Sequence, residues 1–246
     1  MAILYGIHAV EQALAAKRPL ERVLVARGRS GGRVEDLVLA ARAANTPVRF
    51  VAREELDRLS GTDKHQGVVA VGGTRQYLEL DDLLETAKAP ALFLLLDGVE
   101  DPRNLGSILR TAYCAGASGV VLPERRAAGV TAAAEKVSAG ASEHLPVARV
   151  VNLGRALEQL KEAGCWLVGL DERAEKDFTE VDYTGPVGLV LGGEGKGLHE
   201  HVRAKCDFVV SIPTAGVIRS LNVAVAAGVV LYEAMRQRRS AKGEKK

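Results

Sequence analysis

The chain has 246 residues, a formal net charge of +2 and 26% charged residues, the proportions of an ordinary globular protein with one large or two modest domains. No apolar run approaches the roughly 20 residues that span a bilayer, and the first residues lack a signal-peptide pattern, so we expect a cytoplasmic protein that contacts no membrane. The three widely spaced cysteines (Cys114, Cys165 and Cys206) form neither a disulfide framework nor a zinc motif.

Positive charge is concentrated near the two ends of the chain. Residues 1–75 carry 12 Lys and Arg against 8 Asp and Glu, and residues 236–246 carry six basic residues against Glu244 alone. Basic ends on a near-neutral middle could contact phosphates. A solubilising tail is an equally good interpretation of the last segment.

The first 73 residues alternate between helical and strand patterns, which predicts a small α/β domain. Gly73–Pro90 mixes turn residues with acidic ones, so we expect a linker over residues 74–90 with one short helix at Leu80–Ala87. The elements predicted before this linker are helices Gly6–Ala16, Arg33–Asn45 and Arg53–Leu59, and strands Glu21–Ala26, Pro47–Val51 and Gln66–Gly72.

A second α/β domain is predicted over residues 91–238, followed by a basic tail, 239–246. It begins with the uninterrupted apolar strand Ala91–Leu96, a type that is buried on both faces of a parallel sheet. The alternation that follows predicts a parallel sheet with helices on both faces. The further elements are helices Leu105–Ala115, Leu153–Ala163 and Leu221–Gln237, and strands Gly119–Leu122, Trp166–Leu170, Val187–Leu191 and Phe208–Ile212.

The first polar motif, DGVEDPRN at residues 97–104, follows the first strand of this second domain. Pro102 and Asn104 are helix-entry residues, and we predict Asn104 as the N-cap. Helical spacing places Arg110 on the same face as Ser107. Arg110 is therefore either a solvated helix arginine or part of a site at the strand's carboxyl end.

The second motif, GGEGKG at residues 192–197, directly follows the strand Val187–Leu191. Its glycines would allow a ligand to approach the backbone closely, although a plain strand–loop–helix turn explains them too. It is not a P-loop, because Lys196 is followed by Gly197 instead of Ser or Thr.

The third motif places Ser220 and Asn222 at the start of the last helix. Both could simply cap that helix. The helix is apolar nearly all round, so it must be buried or form an interface, and we expect a homodimer.

All three motifs lie where a strand passes into a loop or helix, which is where open α/β sheets bind ligands. We therefore expect one composite site. The five histidines lack metal-ligand spacing, so we expect no metal.

The order and content of these motifs resemble the SpoU (TrmH-type) branch of the SPOUT RNA ribose 2′-O-methyltransferases, from Ala91 to about Arg238. The stretch from Leu4 to His65 and beyond is similar to the small RNA-binding domain of bacterial ribosomal-RNA members. The resemblance implies a trefoil knot, S-adenosylmethionine as methyl donor, an obligate homodimer and methylation of a ribose 2′-OH, in guanosine of 23S rRNA. Methylation of tRNA ribose, methylation of an rRNA adenosine that confers antibiotic resistance, and RNA binding with a vestigial pocket are the alternatives.

The resemblance also implies roles for individual residues. Asn104, Arg110, Glu194, Ser220 and Asn222 match the polar catalytic set. The cofactor-binding positions are Gly192, Gly193, Glu194, Gly195, Ile212 and Leu221. Because arginine stays protonated in proteins, we expect Arg110 to hold the target phosphate and lower the pKa of the ribose hydroxyl. Arg219, where relatives often have a small polar residue, is a further candidate for phosphate binding.

Overall fold

The computed structural model describes residues 2–29, 31–72, 76–193, 197–217 and 220–243. In chain order the elements are β1 (Ala2–Tyr5), α1 (Ile7–Ala15), β2 (Leu20–Ala26), α2 (Gly32–Ala43), β3 (Val48–Val51), α3 (Arg53–Ser60), β4 (Val68–Gly72), α4 (Leu80–Thr86), β5 (Leu92–Asp97), α5 (Pro102–Cys114), β6 (Gly119–Pro123), α6 (Ala132–Val137), α7 (Ala141–His144), β7 (Val147–Val150), α8 (Leu153–Glu162), β8 (Trp166–Leu170), β9 (Lys176–Asp177), β10 (Val187–Gly192), α9 (Glu200–Arg203), β11 (Phe208–Ser211) and α10 (Val223–Ala241). Among these described residues, no helix is both long and apolar enough to cross a membrane.

The first of two compact units comprises Met1–Gln76 and Val130–His144. Its four-stranded sheet has the order β1-β4-β2-β3, in which β4 runs antiparallel to both neighbours and β2 runs parallel to β3. One core cluster joins the sheet to the buried faces of α1 and α2, and a smaller cluster joins it to Leu56 of α3. Successive side chains of β2 point to opposite faces of the sheet, so this strand contributes residues to both clusters.

A buried ion cluster ties the later segment, 130–144, into this first unit. The Arg18 guanidinium donates to Glu135 at 2.6 Å and to Glu143 at 2.8 Å, and all three side chains are less than 10% exposed. Burial alone would lower the pKa of Arg18, but the two carboxylates outweigh it and raise that pKa. Because a buried charge without a partner is costly, the three residues depend on one another.

The second unit comprises Tyr77–Gly129 and Leu145–Lys246. Its sheet has the order β7-β6-β5-β10-β8-β11-β9, and every neighbouring pair is parallel. Side chains of α4, α8 and α9 form a core cluster with one face of the sheet. Helices α5 and α10 pack against each other, and α10 packs on β10. The predicted parallel-sheet domain is thereby confirmed.

The structure corrects the predicted start of α5. Asn104 is not the N-cap; the helix begins at Pro102, and the Asp101 side chain accepts the hydrogen bond of the Arg103 N–H at 2.7 Å. Proline fits the first helical position, where no N–H is needed, so it sets the start two residues before Asn104. Asn104 consequently lies in the first turn of α5 and does not cap it.

Several elements are absent from the sequence prediction. Strands β1 and β7 and helices α6 and α7 were not predicted, and the last helix runs to Ala241 instead of Gln237. The helix predicted at Leu80–Ala87 is present as α4, and its Leu80 and Leu83 are buried in the core of the second unit.

Arg238, from the basic end of the sequence, is a partly buried structural residue. Its guanidinium donates hydrogen bonds to four carbonyl oxygens, those of Pro90, Ala91, Tyr183 and Gly185. These residues directly precede β5 and β10, so α10 holds the amino-terminal ends of the two central strands. Desolvation lowers the pKa of Arg238, because its neutralising partners are dipoles instead of a carboxylate.

Candidate active site

The carboxyl ends of β8, β10 and β11 and the start of α10 enclose a cavity of about 450 Å³. Its lining includes Gly192, Gly193, Ile212, Ser220, Leu221 and Asn222. The second and third sequence motifs therefore meet at one edge of the sheet, as predicted. The cavity volume lies within the range of about 300–1,000 Å³ that is usual for small-molecule sites.

Two glycines allow the second motif to lie directly on its neighbours. A Cβ added to Gly193 would lie 2.0 Å from the carbonyl oxygen of Gly98, and one added to Gly192 would lie 2.0 Å from the carbonyl carbon of Gly197. The Gly193 N–H donates to the Asp97 carbonyl at 2.8 Å. Any side chain at either position would push the loop away from the end of β5.

Asn222 joins the third motif to the first. Its Oδ1 caps α10, accepting from the N–H groups of Ala224 at 2.9 Å and Val225 at 3.3 Å. Its Nδ2 donates to Oδ1 of Asn104 at 3.1 Å. One side chain thus fixes both the start of α10 and the orientation of an amide on α5.

Arg110 lies apart from this group. It is exposed on α5, it lines neither cavity described here, and it has no hydrogen-bond or ion-pair partner among the described residues. The described residues therefore bring together Asn104, Ser220 and Asn222, but not Arg110.

A second cavity, of about 600 Å³, adjoins the first along Gly193 and Gly197 and contains Asn104 in its wall. Asp97, at the end of β5, anchors one side of it. The buried Asp97 carboxylate accepts from the backbone N–H of His199 at 2.9 Å and from its Nδ1 at 3.0 Å. This bond selects the imidazole tautomer with hydrogen on Nδ1 and ties Gly197–His199 to β5.

Asp171 contributes a buried carboxylate to the first cavity. Its pKa is lowered, first by the hydrogen bond from the Arg173 side chain, whose Nη2 lies 2.6 Å away, and further by the Arg173 backbone N–H. The sequence interpretation missed both Asp97 and Asp171 as site residues. Each directly ends or follows a buried strand, and that position was the available signal.

Part of the predicted site lies outside the described residues. This applies to Glu194, Gly195 and Lys196 of the second motif and to Arg219 of the third. Within the described portion of the chain, no group of three or more His, Cys, Asp or Glu residues could hold a metal ion.

Comparison with known proteins gives matches over both units. The model of the SpoU rRNA Methylase family matches residues 91–232, and that of RNA 2′-O ribose methyltransferase substrate binding matches residues 3–78. The 23S rRNA (guanosine-2′-O-)-methyltransferases RlmB of Pseudomonas putida and Ralstonia nicotianae are 44% and 43% identical, each covering 96% of both chains. The crystal structure of the SpoU methyltransferase AviRb from Streptomyces viridochromogenes in complex with AdoMet has a TM-score of 0.84 at 31% identity, covering 97% of this chain and 90% of AviRb.

Proposed function

Since the chain belongs to the SpoU rRNA methylase family, and so is an RNA ribose 2′-O-methyltransferase with S-adenosylmethionine as methyl donor, we propose that its substrate is a guanosine of 23S rRNA. One observation carries this substrate: proteins named for that reaction match 96% of the chain at 43–44% identity, through both units. The match to a substrate-binding family over residues 3–78 supports a role for the first unit in holding the RNA.

The residues of the 450 Å³ cavity fit the methyl donor. Apolar Ile212 and Leu221 suit an adenine ring, and the side-chain-free backbone at Gly192 and Gly193 suits a ligand in direct contact with peptide groups. When bound, the donor supplies an electrophilic methyl group on a sulfonium whose positive charge disappears on transfer. Glu194 and Gly195 complete the proposed binding loop by their place in the sequence.

The polar groups beside this cavity would position the ribose. Ser220 offers a hydroxyl at the cavity wall, and Asn222 holds the Asn104 amide in place. We assign Arg110 the target phosphate: a permanently charged guanidinium near the ribose lowers the pKa of the 2′-OH and makes it a better nucleophile. Glu194 retains its proposed catalytic role from the family motif.

A homodimer would account for an Arg110 that lines neither cavity and has no partner among the described residues. Leu221, just before α10, and Val225 and Tyr232 on it are 42%, 53% and 48% exposed, and Tyr113 on α5 is 46% exposed. Helices α5 and α10 are packed neighbours, so these side chains belong to one face of the second unit. We infer that a second copy covers this face, and that Arg110 of one copy serves the cavity of the other. The trefoil knot is part of the same proposal, because both cavity loops belong to the region that is knotted in the family.

Methyl transfer from labelled S-adenosylmethionine to 23S rRNA lacking the modification tests the proposal, with alkali-resistant linkages mapping the product. We expect label at a guanosine ribose, lost in Arg110→Ala and retained in Arg155→Ala, an exposed arginine on α8 of the same unit. Label confined to tRNA or to an adenosine would refute the substrate. Binding of the donor without transfer to any RNA would favour a non-catalytic RNA-binding protein.

Mixing two inactive variants tests the shared site. Heterodimers of Arg110→Ala and Asn222→Ala would contain one cavity with both residues intact, so activity should return on mixing to roughly one quarter of wild type if subunits exchange freely. Two variants that stay inactive after verified subunit exchange would place Arg110 in the site of its own chain.

A further inference from the structure

One edge of the first unit collects loops that carry cations. Because β4 is antiparallel to β1 and β2, the carboxyl ends of β1, β2 and β3 and the amino-terminal end of β4 lie together. The loops and helix starts at this edge, which we call the loop edge, contain Arg27, Arg29, Arg33, Arg53 and Lys64. Five of the 12 Lys and Arg residues of the segment 1–75 therefore lie at one end of the sheet.

Two of these cations have no partner in the part of the chain that the structure describes. Arg29 and Lys64 are exposed, and neither side chain has a hydrogen-bond or ion-pair partner among the described residues. The others are engaged: Arg27 donates to the Phe50 carbonyl, Arg53 donates to the Asp63 carbonyl, and Arg33 forms an ion pair with Glu11. Arg29 and Lys64 are therefore the charges that an external anion could neutralise without breaking the fold.

A third cation reaches the loop edge from the segment 130–144. The Lys136 ammonium donates to the backbone carbonyl of Lys64 and lies 4.8 Å from the ring centre of Tyr5, at the carboxyl end of β1. Burial, followed by repulsion from Lys64, lowers the pKa of Lys136. The Asp63 carboxylate acts in the opposite direction and offsets part of this lowering.

The loop that carries Lys64 is fixed by a buried histidine. His65 is fully buried; its Nδ1 accepts from the Gly67 N–H at 2.9 Å, and its Nε2 donates to Asp57 at 2.8 Å. The stem of Arg29 lies over Gly67, where an added Cβ would come within 3.1 Å of it. Lys64 is thus carried on a loop that His65 fixes, and the stem of Arg29, from the loop after β2, packs against it, which lowers the entropy lost when the two cations bind a ligand.

The backbone at this edge is also open. A Cβ at Gly28 or Gly31, both with positive φ, would meet nothing within 4 Å. Peptide N–H groups in such a loop can approach an anion without an intervening side chain.

We propose that the loop edge holds the sugar–phosphate backbone of the substrate RNA, with Arg29, Lys64 and Lys136 contacting successive phosphates. This rests on the proposed function, since it assigns the RNA-contacting surface of the first unit. Flexible cationic side chains, beside a protein backbone that a ligand can approach closely, suit the phosphates of RNA better than the edges of its bases.

The double variant Arg29→Gln/Lys64→Gln tests this surface in the full chain, with Lys17→Gln/Arg42→Gln as the matched control. The control removes the same two charges from exposed positions at the opposite edge, next to the carboxyl ends of α1 and α2. RNA affinity is measured as a function of salt, using a 23S rRNA fragment and S-adenosylhomocysteine. Methyl transfer is measured separately at saturating RNA.

We expect the loop-edge variant to bind RNA about tenfold or more weakly and the slope of log K against log salt to become shallower by about 2, one for each lost phosphate contact. Its KM for RNA should rise while kcat at saturation is kept, and the control should match wild type. Unchanged affinity and slope, or an equal loss in the control, would overturn the proposal. Absence of methyl transfer by wild type would instead refute the function, whatever the binding result.

Discussion

Two different substitutions of Asn222 distinguish the two roles of its side chain, which caps α10 and holds Asn104. Asn222→Ala removes the N-cap of α10 and the bond to Asn104, whereas Asn222→Ser keeps a capping oxygen but is too short to reach Asn104. A lost N-cap costs about 1 kcal/mol and a lost hydrogen bond about 0.5–1.5 kcal/mol. We therefore expect Asn222→Ala to destabilise the second unit by about 2 kcal/mol and Asn222→Ser by about 1 kcal/mol.

The effect on catalysis should follow a different order. If Asn222 orients Asn104 in the site, both variants lose that orientation, and kcat should fall by a similar factor, on the order of 10²-fold for a misplaced group. Urea unfolding and single-turnover methyl transfer measure the two effects on the same samples. Asn104→Ala completes a double-mutant cycle, in which the coupling energy isolates the 3.1 Å bond. Wild-type turnover in Asn222→Ser, or wild-type stability in Asn222→Ala, would refute this reasoning.

Three further predictions concern residues that support or line the site. Gly193→Ala, whose Cβ would lie 2.0 Å from a carbonyl oxygen, should weaken donor binding more than tenfold by calorimetry, while Gly185→Ala, which meets nothing within 4 Å, should bind normally. Arg238→Met leaves four carbonyls without their donor and should cost at least about 3 kcal/mol in a denaturant titration; a smaller cost would mean that water replaces the guanidinium. Because Arg173 lowers the pKa of Asp171 in the folded protein, the unfolded chain protonates Asp171 more readily than the folded protein does. The resulting stabilisation of the folded protein is present above the ordinary pKa of 3.8 and is lost as the pH falls below it. Acid titration of Asp171→Asn should accordingly show a shallower loss of stability than wild type, and parallel curves would contradict this assignment.

The strands and loops that form the site could be predicted from the sequence, because the patterns that identify them lie within short segments. Uninterrupted apolar strands such as β5 and β10, each followed by polar or glycine residues, located the carboxyl edge of the sheet and two of the cavity loops. The helix-start error at Asn104 arose because Asp101 and Asn104 are both good capping residues, and Pro102 was the deciding signal between them.

The features that the sequence did not predict depend on contacts between residues far apart along the chain. The bond between Asn104 and Asn222 joins residues 118 positions apart, and no periodicity encodes it. Strand β1 has four residues and exists through its antiparallel pairing with β4. Helix α6 is an alanine-rich stretch of six residues, too short to show an amphipathic pattern. Its place in the first unit comes from the buried pair of Glu135 and Arg18.

That pairing has a consequence for how the chain is made. Glu135 and Glu143 follow Arg18 by 117 and 125 residues, so a nascent chain ending at residue 76 contains the whole four-stranded sheet but neither carboxylate. Domains generally fold amino-terminal first during synthesis, yet here Arg18 cannot be buried as an ion pair until β5, α5 and β6 of the second unit have already been synthesised. The first unit can therefore complete this ion cluster only after part of the second unit has been synthesised, and a fragment cut after Gln76 would contain Arg18 without either carboxylate.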